Sequence, residues 1–447
     1  MMEFSLSRWT LPMAAALLVV ISLAGGSPST AATEGSPLDG ETSTVNDGPG
    51  DQTDPHISGP LVSYTSDSGG QSEIRYHDLS TGSDEAIPAD GSQDLLSEVS
   101  DGAVFFTRFF PDGHSAILAF EAESAEELDL REASQRQNPA IGGDTVVWED
   151  FGLLEGSMPA PEIVADDRAT GNTTRLTDDT LPDVAPSISP DGDVVVWMKC
   201  ASISADCDVW QATSDGWGWT ATQLTGTEGD DRLPATNGEF VVYQSSRGGE
   251  LDVFFQPVGG GEERWIERPD LQRKPNISGD LISFESRDPD TVNFDVMVYD
   301  VRADKVYPIT RTPERSEQLN DISVDDGVAR VLWVVRGTEG NFNVKVFTFD
   351  VPGEQPECTI EGTEGNDIRR GTPGDDVICG LGGNDVLHGG DGDDTLIGGP
   401  GRDVHFGQAG NDRLDAQDGV EGNDYLDGGS GANECAADPR DVKRNCS

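Results

Sequence analysis

The stretch Gly380–Ile397 reads GLGGNDVLH followed by GGDGDDTLI, two nine-residue phrases of one design. Outward from it, aspartates fall at Asp367, Asp376, Asp385, Asp394, Asp403 and Asp412, and after a three-residue insertion the beat resumes at Asp424 and Asn433. A glycine stands two positions before each of these residues, from Gly365 to Gly431, and another stands five positions before each, from Gly362 to Gly428. A flexible linker has no need of such a period. A repeated tight turn does, because glycine enters positive-φ conformations at little steric cost. The second residue after the aspartate is apolar at Ile378, Leu387, Leu396, Leu414 and Leu426, so each of these phrases offers one side chain to an interior.

The pattern resembles the RTX, or haemolysin-type, calcium-binding nonapeptide GGxGxDxUx, a parallel β-helix repeat. The resemblance implies a parallel β-roll over 362–435, with one strand and one turn per phrase and turns alternating between two edges. Turns n and n+2 then stack, bringing Asp367 over Asp385, Asp376 over Asp394, Asp385 over Asp403 and Asp394 over Asp412. A cation between them meets carboxylate and carbonyl oxygens, which Ca2+ takes in sets of about 6–8, whereas Mg2+ demands tight octahedral geometry. The expected calcium ligands are Asp367, Asp376, Asp385, Asp394, Asp403, Asp412 and Asp424. Arg369 and His405 stand where an apolar residue belongs, and Arg402 precedes Asp403 where the better phrases carry Asn or Asp, so the first and fifth turns depart from the pattern. The segment after Asp412 reads as a degraded, capping end. A roll this thin buries little, and its folding is expected to depend on Ca2+, which stabilises only the state that binds it.

Around this block, 83 acidic residues face 29 basic ones, for a formal net charge of -54. Such a balance repels nucleic acid and anionic lipid and favours cations. Residues 1–32 carry Arg8, an apolar run from Leu11 to Ala24 and the small residues Ser29-Thr30-Ala31-Ala32, the layout of a secretory signal peptide. No second apolar run offers a membrane span. Thr33–Thr53, rich in Gly, Ser, Thr and acid, reads as a flexible leader. The six cysteines pair by proximity as Cys200 with Cys207, Cys358 with Cys379 and Cys435 with Cys446, in keeping with an oxidising, extracellular setting.

Between Asp54 and Val351 a looser phrase recurs, opening on PHISG, SEVSDG, PAIGGD, PSISPDG, PATNGE, PNISGD and NDISVDDG. Anchored at Ile57, Val99, Ile141, Ile188, Thr236, Ile277 and Ile322, the copies are 42, 42, 47, 48, 41 and 45 residues apart. Each leads into a β-branched and aromatic run such as TVVWED or VVVWMK and then a second such as DVWQAT or DVMVYD, bounded by Gly, Asp, Pro and Asn. These are strands. A period of 40–50 residues with four short strands is that of a propeller blade. The pattern resembles the TolB-like, WD40-like propellers, most closely in SISPDGDVVVW (Ser187–Trp197). The expected fold is all-β: a seven-bladed propeller over 54–351, six blades being the alternative, then a linker at 352–361, the β-roll, and a C-terminal cap at 436–447. The last copy lacks a fourth strand and is expected to borrow one from before Pro55.

No G-x-S-x-G elbow, H-E-x-x-H or P-loop occurs. His56, His77, His114, His388 and His405 are scattered and read as surface or packing residues, and most tryptophans read as packing between blades. Trp217 and Trp219 form a loop pair able to stack on a sugar. The leading functional reading is a secreted calcium-binding protein whose propeller engages a protein, peptidoglycan or polysaccharide. The alternatives are an extracellular hydrolase or lyase acting in the propeller channel, which convergent His, Asp or Arg side chains there would favour, and a calcium-dependent surface or adhesion component.

Overall fold

The structure is a computed structural model; it describes residues 32–446 except for short internal stretches, the longest being 128–133, 154–159, 353–357 and 417–421. The expected signal peptide lies outside the described residues except for Ala32. Every regular element described is a strand. No described helix is long and apolar enough to cross a membrane.

The middle of the chain folds into successive groups of four antiparallel strands. In one of them Asp183–Ile188, Val194–Ser202, Ala205–Ser214 and Trp219–Gln223 pair in chain order. The two central strands carry continuous apolar runs because both of their faces are covered. Trp197 is fully buried and packs against Ala140, Val147 and Ile163 of the preceding group, as Trp148 packs on Phe105 and Ile117 of the group before that. Burying each large side chain contributes roughly 1.5–3 kcal/mol. This is propeller packing, with neighbouring sheets face to face.

The residues expected to be a flexible leader are instead paired. Gly40–Asn46 lies antiparallel to Phe342–Asp350 and completes the last group, whose own strands are Glu317–Asp325, Val328–Arg336 and Phe342–Asp350. Without it Phe342–Asp350 would present an open edge of N–H and C=O groups. Thr33–Glu34 adds in parallel to Lys305–Pro308, and Asp51 already opens the first inner strand, Asp51–Ser58. The ring closes here: Asp321 accepts the Ile57 N–H at 3.0 Å and Ser323 Oγ accepts the Gly59 N–H at 2.9 Å.

Each inner strand carries a bulge at the same place. The bulged residues are Asp54, Leu96, Asn138, Ala185, Leu233, Lys274 and Leu319, each three positions before its anchor and each with φ between 50° and 58°. A left-handed non-glycine residue is disfavoured by roughly 1–2 kcal/mol. Side chains on the middle strand of the preceding group offset this by accepting the bulged N–H: Glu149 Oε1 for Ala185, Gln244 Oε1 for Lys274 and Glu285 Oε1 for Leu319, all at 2.8 Å, and Thr107 Oγ1 for Asn138 at 3.1 Å. Bulges re-aim side chains, and here they line the axis.

After Val351 the chain becomes a parallel roll of two sheets. One contains Ile360–Thr363, Val377–Leu381, Thr395–Ile397, Arg413–Ala416 and Glu434–Ala437, and the other Ile368–Arg370, Val386–Asp391, Val404–Ala409, Tyr425–Asp427 and Val442–Arg444. Between them runs a single file of buried side chains: Ile378, Leu387, Leu396, Leu414 and Leu426. Disulfides Cys358–Cys379 and Cys435–Cys446 tie the two ends, and Cys200–Cys207 ties a propeller hairpin, the three pairings expected. Arg413 of the roll pairs with Asp350, the last residue of the propeller's final strand.

Candidate functional site

The strands on each face of the roll pair 18 residues apart, or 21 across the insertion, so turns n and n+2 stack as the spacing requires. The repeated aspartates form a ladder along each edge. Asp385 Oδ1 accepts the Asp367 N–H at 2.8 Å, Asp394 that of Asp376 at 2.9 Å, Asp403 that of Asp385 at 2.8 Å and Asp412 that of Asp394 at 3.1 Å. The residues just before them make a second ladder in the opposite sense, in which Asn366 accepts from Asn384, Asn384 from Arg402, Asp375 from Asp393 and Asp393 from Asn411. Arginine has no acceptor, and Arg402 passes nothing on in this ladder.

From Asp385 onward each ladder aspartate thus commits Oδ1 to the backbone, and what its Oδ2 meets separates the turns. In Asp385, Asp394 and Asp412 this oxygen is buried without a partner. It faces the first glycine of its own phrase so closely that a Cβ on Gly380, Gly389 or Gly407 would overlap it. The same point is shared by a backbone carbonyl from two turns on, Gly398 O at 2.6 Å, Gly407 O at 2.7 Å and Gly428 O at 2.6 Å. A buried carboxylate oxygen with no donor is unfavourable. Burial accordingly pushes Asp394 up to about 6, with the charges of Asp412, Asp376 and Asp375 adding to it, and raises Asp385 and Asp412 as well. An oxygen-lined gap of this kind fits Ca2+, a hard cation that takes carboxylates and carbonyls together. Carboxylates alone do not make the site: among the described residues no three His, Cys, Asp or Glu side chains gather as a metal cluster.

Asp367 and Asp376 differ. Thr363 N–H and hydroxyl donate to Asp367 Oδ2, both at 2.7 Å, and Arg369 pairs with Oδ1 at 3.0 Å. Thr372 N–H and hydroxyl donate to Asp376 Oδ2 at 2.5 and 2.8 Å. These contacts hold both carboxyls below the usual range, through Thr363 and then Arg369 for Asp367, and through Thr372 for Asp376. The stretch with open Oδ2 atoms therefore starts at Asp385, two turns later than the glycine pattern alone suggests. At its far end the ladder does not degrade. Asp424 accepts from Asp403 at 2.6 Å, Asn433 from Asp412 at 2.8 Å, and Asp441 from Asp424 at 3.1 Å. Asp441 escaped the sequence reading because Ala436 and Pro439 stand where its glycines would be. Val442 after it pairs in register with Tyr425. His405 takes the inward, apolar position of its turn, with no exposed surface and neither ring nitrogen hydrogen-bonded. Burial holds its pKa down to about 4.

The propeller holds a second feature that the sequence did not disclose. A cavity of about 750 Å3 lies on its axis, lined by the residues after the bulges. Two positions after each bulge stand His56, Glu98, Ala140, Ser187, Ala235, Asn276 and Asp321. Polar chemistry gathers on one arc, Asn276–Asp321–His56–Glu98, and small residues occupy the other. His56 Nδ1 lies 3.4 Å from Glu98 Oε2 and 3.6 Å from Asp321 Oδ2, and Nε2 lies 3.7 Å from Asp54. Burial opposes the imidazolium, yet Glu98, Asp54 and Asp321 raise His56 to about 10. Burial lifts Glu98 to about 7 against the pull of His56. His56 is thus no packing histidine. By contrast Trp217 is 97% exposed on its turn, and Trp219 is partly buried against the preceding group.

The model of the RTX calcium-binding nonapeptide repeat matches four times, over residues 359–387, 370–405, 388–420 and 397–435. No curated protein matches the sequence. Among solved structures, an oligogalacturonate lyase in complex with manganese is 14% identical, with a TM-score of 0.52, over 71% of this chain and 98% of that one. The β-propeller domain of the Trilobed protease from Pyrococcus furiosus is 13% identical, with a TM-score of 0.49, over 68% and 93%. TolB from Acinetobacter baumannii is 16% identical, with a TM-score of 0.37, over 66% and 80%. At 14% identity the likeness to the lyase is one of fold alone. The repeat match, the ladders and the oxygen-lined gaps agree, and the C-terminal part of the chain carries RTX calcium-binding repeats.

Proposed function

We propose that the protein is exported through residues 1–32 and works outside the cell as a calcium-loaded roll carried by a seven-bladed propeller whose axial cavity receives a ligand. The observation that carries the calcium reading is the set of buried, partnerless Oδ2 atoms of Asp385, Asp394 and Asp412, each converging with a backbone carbonyl. Calcium between stacked turns neutralises carboxylates that burial otherwise disfavours. The proposed ligands are Asp367, Asp376, Asp385, Asp394, Asp403, Asp412 and Asp424, with the turns from Asp385 onward binding most tightly. Three disulfides and the acidic surface support the extracellular setting. The strand grouping, with Gly40–Asn46 completing the last blade, supports seven blades over six.

Calorimetric titration of the full chain tests the calcium reading. Changing Asp385 and Asp394 together to Ala removes carboxylates on both edges and should lower the calcium stoichiometry; an unchanged count would refute the assignment. The polar arc favours a second reading, in which the channel binds or transforms an extracellular polymer, in line with the fold it shares with an oligogalacturonate lyase. Glu98→Gln with Asp321→Asn should then weaken capture on a panel of neutral and basic oligosaccharides and peptides while leaving calcium stoichiometry intact. Equal capture by the variant would remove the channel from the function.

A further inference from the structure

We infer that the turn Gly398–Asp403 is a mixed nitrogen–oxygen metal site, in which His405 Nε2 stands where the neighbouring turns place a carbonyl oxygen, and that it prefers a borderline divalent ion such as Co2+ or Zn2+ to Ca2+. The inference rests on the calcium reading of the other turns. At Gly380, Gly389 and Gly407 the two atoms nearest the missing Cβ are the turn's own Asp Oδ2 and a glycine carbonyl oxygen from two turns on. At Gly398 they are Asp403 Oδ2 and His405 Nε2, the latter at 2.8 Å. Two turns beyond Gly398 the three-residue insertion puts Ala416 rather than a glycine, and its carbonyl oxygen lies farther from that point than His405 Nε2. His405 approaches that point from inside the roll.

A histidine among Leu387, Leu396, Leu414 and Leu426 is an odd occupant of an apolar file. Its ring is fully buried, both nitrogens lack hydrogen bonds, and a polar group in that state is destabilising. A leucine would avoid this. The nitrogen and Asp403 Oδ2 approach the same point at Gly398, and imidazole suits Zn2+ and neighbouring transition ions whereas Ca2+ takes oxygen ligands.

Co2+ is the probe. The full chain is first saturated with Ca2+, freed of excess, and titrated with Co2+ while released Ca2+ is counted by elemental analysis. One Ca2+ should leave for one Co2+ bound at least tenfold more tightly than the Ca2+ it displaces, and the Co2+ should contact-shift the His405 ring protons. His405→Leu should keep the Ca2+ count of the remaining turns and lose that tight Co2+. If Co2+ displaces nothing, or binds equally to His405→Leu, or leaves the His405 ring protons of the wild-type chain unshifted, the inference is overturned. The last measurement needs no variant and so stands even where His405→Leu fails to fold. A chain that binds neither ion in the roll would refute the calcium reading itself, a distinct outcome.

Discussion

The propeller and the roll are both repeats, but they hold together by different means. A propeller phrase of 41–48 residues builds a sheet buried on both faces, and whole tryptophans such as Trp148 and Trp197 disappear between neighbours. A roll phrase of nine residues buries one side chain and leaves its turn full of polar atoms, some of them without partners. The longer repeat has surface enough to make its own core. The shorter one leaves buried oxygens without partners, which a bound ion would satisfy. Period length therefore predicts where the stability comes from.

Calcium removal should separate the two most widely. In thermal unfolding of the full chain, EDTA should bring the roll's transition far down and leave the propeller's in place. At free Ca2+ 100-fold above Kd, each filled site adds about 2.7 kcal/mol to the roll. Equal shifts in both transitions would mean that the regions unfold as one unit through contacts such as Arg413 with Asp350.

Core truncation should come next. Leu396→Ala and Ile282→Ala both cut a fully buried side chain, one in the roll and one in the propeller, and each is expected to cost about 2–5 kcal/mol. In the thin roll that loss should abolish folding in EDTA and be rescued by Ca2+. In the propeller it should lower one transition by the same amount with or without Ca2+. Calcium rescue of Ile282→Ala would break the distinction.

The smallest effect is on pH dependence. Asp394 has a folded pKa of about 6, above its ordinary value, so its contribution is favourable at low pH and is lost as pH rises through 6. His405 is held near 4, so its contribution is present above its ordinary value of 6.5 and is lost as pH falls towards 4. Between pH 4 and 6.5 the two oppose each other. The calcium-free roll should accordingly change little in melting temperature from pH 7 to pH 5, while His405→Leu should become more stable over the same drop. In Ca2+ the trend should reverse, because a ligating carboxylate must be ionised. A His405→Leu roll in EDTA that weakens on acidification would contradict the burial argument for Asp394.

How far each region was legible follows from how local its contacts are. The stacking of Asp385 on Asp403 spans 18 residues and repeats, so glycine and aspartate spacing displayed it directly. Asp441 makes the same contact, but its turn is closed by Ala436, Asp438 and Pro439, so no glycine spacing marks it. Thr363 and Thr372 were overlooked for the opposite reason: a hydroxyl four residues before an aspartate looks ordinary until the turn folds it back. In the propeller the strands were plain from their β-branched runs. The polar arc was not, because Ile57 and the carboxyl of Asp321 that accepts its N–H are 264 residues apart. Nothing local marks His56 as different from His77 or His114.

The amino-acid sequence by itself determined that the chain is all-β, that it alternates strands and turns at two periods, that the nine-residue period binds calcium, and which cysteines pair. Each of these depends on backbone conformational preference or on neighbours within a few turns, which residue type and spacing encode. The tertiary structure alone decided that Gly40–Asn46 closes the ring, that the seven bulges three positions before the anchors take the left-handed conformation, that His56 meets Glu98, Asp321 and Asp54 on the axis, and that His405 reaches the turn of Asp403. Those outcomes depend on which distant surfaces the closed ring and the stacked roll bring together, and no spacing along the chain records that.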